Sequence, residues 1–292
     1  MFDTVVVGID GRFGGRDSLA LARQLADEGA DLVLAHVYSE MPVHLRGLSP
    51  ALAAERERSE QTLEAARAEA GIDVRLCSVG SPSVGRGLHE LAERVGADLM
   101  VIGSSSRGLA GRVLLSDHTR ASLNGAPCAI AVAPTNYAEQ NEAWSTIGVG
   151  YDESQESEHA LAVARELARR CGARVSACEV VSIPALALGG DSAIGAQIHD
   201  LVKQAQERLA EQLHDVEIHA TYGTAGEELA LFAASIDLLV VGSRGYGPVG
   251  RLVHGSTLLR LTHQTRCPLL VLPRAASSDH AVGPDSHRET PG

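Results

Sequence analysis

Residues 97–103 superpose on residues 236–242 with Asp98 over Asp237 and Gly103 over Gly242. The same register places Gly108 over Gly247, Gly111-Arg112 over Gly250-Arg251, Cys128 over Cys267 and Pro134 over Pro273. Nearer the start of each half, Ile9-Asp10 aligns with Tyr151-Asp152, and Leu19-Ala20-Leu21-Ala22-Arg23 with Leu161-Ala162-Val163-Ala164-Arg165. An ordered series with few insertions, over a unit far longer than a solenoid module, indicates duplication of a whole domain. Each half must therefore adopt the same fold and bury its own core. A chain of 292 residues divides into two units of about 140, a comfortable size for one α/β domain.

Within each copy, short apolar, β-rich runs alternate with helix-like ones. In the first, strands are read at Val5–Ile9, Leu32–Val37, Val74–Val79, Leu99–Ile102 and Ala129–Ala133. Helices are read at Asp17–Glu28, Leu48–Ala70, Val84–Val95 and Val113–Leu123. The second copy repeats the order, with strands at Thr146–Val149, Arg174–Val180, Glu217–Tyr222, Leu238–Val241 and Leu269–Leu272. Its helices fall at Ser157–Arg170, Ala196–Leu213, Ala225–Ala234 and Ser256–Thr262. This alternation predicts parallel sheets covered on both faces, a Rossmann-like α/β class. Right-handed crossovers bring the loops after the first and fourth strands to one end of each sheet. The expected domains are 1–135 and 143–274, joined by the polar linker Asn136–Glu142. Residues 275–292, with almost nothing to bury, read as a disordered tail.

The loop after Val240-Val241 carries the strongest chemical signal. Five glycines and a proline fill it from Gly242, and it ends in Gly255-Ser256-Thr257 at a helix start. Glycines allow close backbone approach, and the free N–H groups of a helix start cradle anions. Arg244 and Arg251 add cations, and Ser256 and Thr257 add hydroxyls, suited to phosphate. The structural alternative is an ordinary β–α turn. The loop matches neither the Walker pattern nor the dinucleotide fingerprint.

Gly242, two residues, Gly245, nine residues, Gly255-Ser256 resembles the nucleotide-binding signature of the universal stress protein family. The resemblance implies two five-stranded parallel sheets of strand order 3-2-1-4-5, the second copy with an intact motif. It assigns phosphate contacts to Gly242, Gly245, Gly255, Ser256 and the backbone of Thr257. It also places Gly150 and Val180 at an adenine base and Asp152 at the nucleoside; Asp152 equally suits a helix cap. The implied ligand is ATP, or AMP or ADP, with Mg carried through the phosphates. Output would come through conformation or partner binding in a cytoplasmic stress-response or regulatory role. Slow ATP hydrolysis, or a structural role without nucleotide, are the alternatives.

The first copy departs from the motif. Ser106 stands where the second has Gly245, and Leu115-Ser116-Asp117-His118 replaces His254-Gly255-Ser256-Thr257. Asp117 would face polyphosphate with like charge, a contact costing on the order of 2–4 kcal/mol. A degenerate first site and one strongly bound ATP per chain are expected.

Nothing in the sequence supports a dedicated catalytic centre. There is no His-Glu-x-x-His motif, no clustered Cys/His spacing and no Gly-x-Ser-x-Gly at a strand end. His254 and His36 read more simply as packing residues. A net charge of −12 argues against a broad nucleic-acid surface. The five cysteines lack Cys-x-x-Cys spacing and read as free thiols. Met1-Phe2-Asp3-Thr4 leads directly into Val5-Val6-Val7, and no run of eighteen apolar residues follows; a soluble protein in a reducing compartment is expected. Ala129–Ala133 and Leu269–Leu272 are short apolar strands whose edges are safer covered or paired; the resemblance to the universal stress protein family implies that they meet antiparallel, here within one chain. A further homodimer is also expected.

Overall fold

The computed structural model describes residues 1–11, 13–40, 49–71, 74–104, 122–140, 143–182, 191–243, 257–258, 260–261 and 265–273. The first repeat contains β1 (Thr4–Gly8), α1 (Phe13–Leu25), β2 (Asp31–Ser39), α2 (Ser49–Ala70), β3 (Arg75–Ser81), α3 (Val84–Val95), β4 (Leu99–Gly103) and β5 (Ala129–Ala133). The second contains β6 (Thr146–Gly150), α4 (Gln155–Cys171), β7 (Arg174–Val181), α5 (Asp191–Gln212), β8 (Glu217–Tyr222), α6 (Ala225–Phe232), β9 (Leu238–Gly242) and β10 (Leu269–Leu272). All ten strands form one sheet, ordered β3-β2-β1-β4-β5-β10-β9-β6-β7-β8. Each half is parallel with order 3-2-1-4-5, and the halves meet where β5 lies beside β10.

Sequence signals fix the helix ends where they can be followed. Ser83 caps α3, accepting from the Arg86 amide at 3.3 Å, and Gly96 ends it at φ 65. Ser154 caps α4 by accepting from the Ser157 amide at 3.2 Å, with Glu156 and Glu158 in the first turn and Arg169 and Arg170 in the last. Those charges complement the helix dipole at both ends. The Ala160, Leu161, Ala164, Leu167 and Ala168 face of α4 is buried against the sheet. The α1, α2 and α4 side of the sheet holds one apolar cluster, and the α3 and α6 side holds the other.

The aspartates that revealed the repeat are strand clamps. Asp98 Oδ2 accepts from the amides of Asp3 and Thr4, both at 3.0 Å. Asp237 Oδ2 accepts from the amides of Ser145 and Thr146 at 2.7 and 2.9 Å. In each repeat the carboxylate ties the start of the fourth strand to the start of the first.

The two closing strands pair antiparallel, with Leu269 opposite Val132, Leu270 opposite Ala131 and Val271 opposite Ile130. Every residue of both strands is buried, so neither apolar edge is left open.

The linker differs from the slack polar tether expected at Asn136–Glu142. Tyr137–Glu139 is a turn of 3-10 helix, and Tyr137 and Trp144 belong to the core. The Trp144 indole donates to the Tyr137 hydroxyl at 3.0 Å, and that hydroxyl donates to Gln24 on α1. The buried Asp17 carboxylate accepts from the amides of Asn136 and Ala138, both at 2.9 Å. Aromatic burial and these bonds dock the segment on α1, which a composition argument misses.

Cys128, Cys178 and Cys267 are buried free thiols. Among the described residues no helix is long and apolar enough to cross a membrane.

Candidate functional site

In an open α/β sheet, ligands bind outside the carboxyl ends of the strands where the strand order reverses. In the second repeat that point lies between β6 and β9, and a cavity of roughly 310 Å³ opens there. Its apolar wall comes from Val180 at the end of β7, Val241 on β9, Leu229 and Ala225 on α6, and Leu258 and Leu261. Its polar lip comes from Asp152, Ser154, Glu156 and Ser157, with Ser243 and Thr257 across from them. Residues 257, 258, 260 and 261 are helical.

Gly150 shapes the mouth. A Cβ there would lie 3.2 Å from methyl groups of both Leu229 and Val241, so the missing side chain keeps the slot between β6 and α6 open. Gly242 has a different reason to be glycine. A Cβ there would lie 2.5 Å from the Glu156 carbonyl oxygen, because the first turn of α4 sits directly on the end of β9. Helix packing therefore demands this glycine whether or not a ligand approaches it.

The Asp152 loop is organised around the start of α4. The Asp152 carboxylate accepts from the Ser154 amide at 3.2 Å and from the Ser154 hydroxyl. The Asp152 amide donates to Ser157 Oγ at 3.3 Å, and that hydroxyl donates to the Ser154 carbonyl at 2.9 Å. Asp152 thus serves the turn before the helix while lining the cavity, so the two roles considered for it are compatible. Burial pushes the Cys178 thiol up to about 12, helped by the charges of Glu228 and Glu179, which leaves a neutral sulfur at the cavity wall.

Of the residues singled out in the sequence, Gly150, Asp152, Val180, Gly242 and Thr257 line this one cavity. Arg244, Gly245, Gly255 and Ser256 lie outside the described residues, as do Ser106 and Asp117 of the first copy. Cys178 and Leu229 were not anticipated. Cys178 was within reach, since it stands two residues before Val180 on one strand and must share its face. Leu229 reaches the cavity only through the packing of α6, which no local pattern announces. In the first repeat, Gly8 and Asp10 occupy the equivalent strand end, and Asp10 accepts from the Gly15 amide at 3.1 Å. Among the described residues no three His, Cys, Asp or Glu side chains are grouped to hold a metal ion.

Comparison with known proteins agrees with this architecture. A universal stress protein of Mycobacterium tuberculosis is 32% identical over 187 residues, covering 60% of this chain and 61% of the relative. That match therefore spans about three fifths of the relative's length. A second universal stress protein of the same organism is 27% identical over 259 residues, covering 82% of this chain and 84% of its own. The crystal structure of a universal stress protein from Archaeoglobus fulgidus superposes with a TM-score of 0.65 at 16% identity, covering 94% of this chain and all of that one, and shows the shared fold. The sequence profile of the universal stress protein family matches residues 1–134 and again residues 143–273. The chain belongs to the universal stress protein family as a tandem member, with two copies of the family unit in one polypeptide.

Proposed function

We propose that the second repeat binds an adenine nucleotide, ATP before AMP or ADP, and that the chain is a cytoplasmic stress-response regulator whose conformation or partner binding follows nucleotide occupancy. The observation that carries this reading is the cavity between β6 and β9, with an apolar slot at one side and a polar lip at the other. Its volume of roughly 310 Å³ suits a nucleoside-sized group. The base enters between Val180, Leu229 and Val241, and the Asp152 carboxylate accepts from a ribose hydroxyl. The phosphates lie by Thr257 and Gly242, and the sequence resemblance assigns them further contacts to Arg244, Gly245, Gly255 and Ser256, residue types suited to their charge. A magnesium ion accompanying the polyphosphate would be carried by the nucleotide. Since β5 and β10 cover each other within one chain, a homodimer of these chains uses a different face.

The test begins with extraction and chromatographic identification of the small molecule that copurifies with the protein. Stripped protein is then titrated with ATP, AMP and GTP by calorimetry. An adenine nucleotide in the extract and saturable ATP binding are expected. An extract without nucleotide, together with no heat of ATP binding, would overturn the reading.

A further inference from the structure

Glu153 follows Asp152 at the cavity lip and adopts φ 61. This is the left-handed region, where a side-chain Cβ crowds the backbone and which non-glycine residues seldom occupy. Such a conformation persists where its surroundings hold it. Among the described residues, Asn136 and Glu153 are the non-glycine residues with positive φ.

The Glu153 carboxylate pairs with an arginine on a distant helix. Arg208 of α5 donates from Nε to Glu153 Oε1 at 2.8 Å. From Nη2 it also reaches both oxygens of Glu179, at 2.8 and 2.7 Å. Glu179 lies on β7 between Cys178 and Val180, the two strand residues that line the cavity, and its side chain is 17% exposed. One guanidinium therefore joins the sheet beside the cavity to the turn at its lip. Geometry of this kind, one planar fork serving two carboxylates, is specific to arginine.

Among the described residues, the first repeat lacks this arrangement at the equivalent positions. Asp10 corresponds to Asp152, and the next residue there is Gly11, at φ 70. The α2 and α5 helices are both 22 residues long, and aligned end to end they place Ala66 opposite Arg208. The strand registers pair Gly8 with Ala35 and Gly150 with Cys178, so His36 stands in the place of Glu179. Glycine takes the left-handed turn without help, and the first repeat carries neither the arginine nor the two acids.

We infer that Arg208 is a positioning residue for the second cavity: it holds Glu153 in the left-handed turn and thereby fixes the Asp152 carboxylate at the lip. The link is short. The Ser154 amide and hydroxyl both bond the Asp152 carboxylate, and Glu153 is the residue between them. Release of Glu153 rotates the Ser154 amide away and loosens Asp152. The consequence for binding rests on the nucleotide reading given above; the consequence for the loop does not.

The experiment is a double-mutant cycle on the full chain with Arg208→Gln, Glu153→Gly and the pair. It reads ATP affinity by calorimetry and, in nucleotide-free protein, hydrogen exchange of the Ser154 amide. Arg208→Gln is expected to weaken ATP binding about fivefold and to speed Ser154 exchange while Glu153 is present. In the Glu153→Gly background the same replacement is expected to change either quantity less than about twofold, because the ion pair is already gone. Arg208→Lys, which keeps the charge but not the fork, restores part of the loss and serves as the check on folding. Equal penalties in both backgrounds, or no penalty with Glu153 present, would overturn the inference. If the parent itself binds no ATP, the nucleotide reading falls alone and the exchange cycle decides the clamp: coupling supports it, and its absence removes it.

Discussion

The carbonyl oxygen of Glu156 stands 2.5 Å from the point where a side chain on Gly242 would begin. The first turn of α4 and the end of β9 are thus in backbone contact, and the glycine is fixed by that contact. Gly242→Ala must push α4 off the strand, an overpacking cost of about 1–3 kcal/mol. A lowered midpoint in chemical denaturation is expected without any ligand present. An unchanged midpoint would show that the helix end yields freely. Weaker nucleotide binding by this variant alone therefore does not diagnose a phosphate contact.

Gly150 separates binding from packing more cleanly. An added methyl would meet side-chain methyl groups of Leu229 and Val241 at 3.2 Å, a contact these flexible neighbours can relieve by small shifts. Gly150→Ala is expected to narrow the slot and lower ATP affinity by about tenfold, the order expected for one methyl group in a fitted pocket. Its thermal midpoint is expected to stay close to that of the parent. Unaltered affinity in calorimetry would move the base out of this slot.

His36 is expected to make the first repeat sensitive to acid. Its Nδ1 lies 2.9 Å from the hydroxyl of the buried Ser59, which also receives the Ser78 hydroxyl at 2.7 Å. Burial lowers the imidazole's pKa below its ordinary 6.5, against the opposing pull of Asp10 and Glu55. The unfolded chain therefore binds the proton more readily than the folded one. The contribution to stability is complete above pH 6.5 and is lost as the pH falls below it toward the folded value. Urea denaturation across this range is expected to show a falling midpoint for the parent and a flatter profile for His36→Gln. Parallel profiles would exclude His36 as the source.

Arg170 joins the two repeats away from the β5–β10 seam. From the last turn of α4 it donates to the carbonyls of Leu25 and Ala26 at 3.3 and 2.6 Å and to Asp27 at 2.7 Å. Arg170→Ala removes these donors from the end of α1, at a cost of about 1–3 kcal/mol. A fall in the thermal midpoint of roughly 2–6 °C is expected. A midpoint equal to that of the parent would show that Arg170 adds nothing measurable to the docking.

Much of this architecture is legible in the sequence, because duplication aligns two imperfect copies of each signal. The helix expected at Val84–Val95 is found over those same residues, with Ser83 and Gly96 at its ends. In α5 the reading began at Ala196, and the helix begins at Asp191. Gly195 lies inside the helix and faces open space, where its propensity cost of about 1 kcal/mol is tolerable. Strand order came from family resemblance, because spacing does not say which strands are neighbours. The docked linker and the Arg208 clamp were hidden for a shared reason: each depends on side chains far apart in sequence meeting across helices.

Nucleotide is predicted to bind once per chain, in the second repeat. Calorimetric titration of stripped protein with ATP, followed by hydrogen exchange with and without the ligand, tests it most directly. One strong site per chain is predicted, with protection concentrated in residues 145–273 around Asp152, Val180 and Thr257. Two equally tight sites with both repeats protected, or no binding at all, would contradict it.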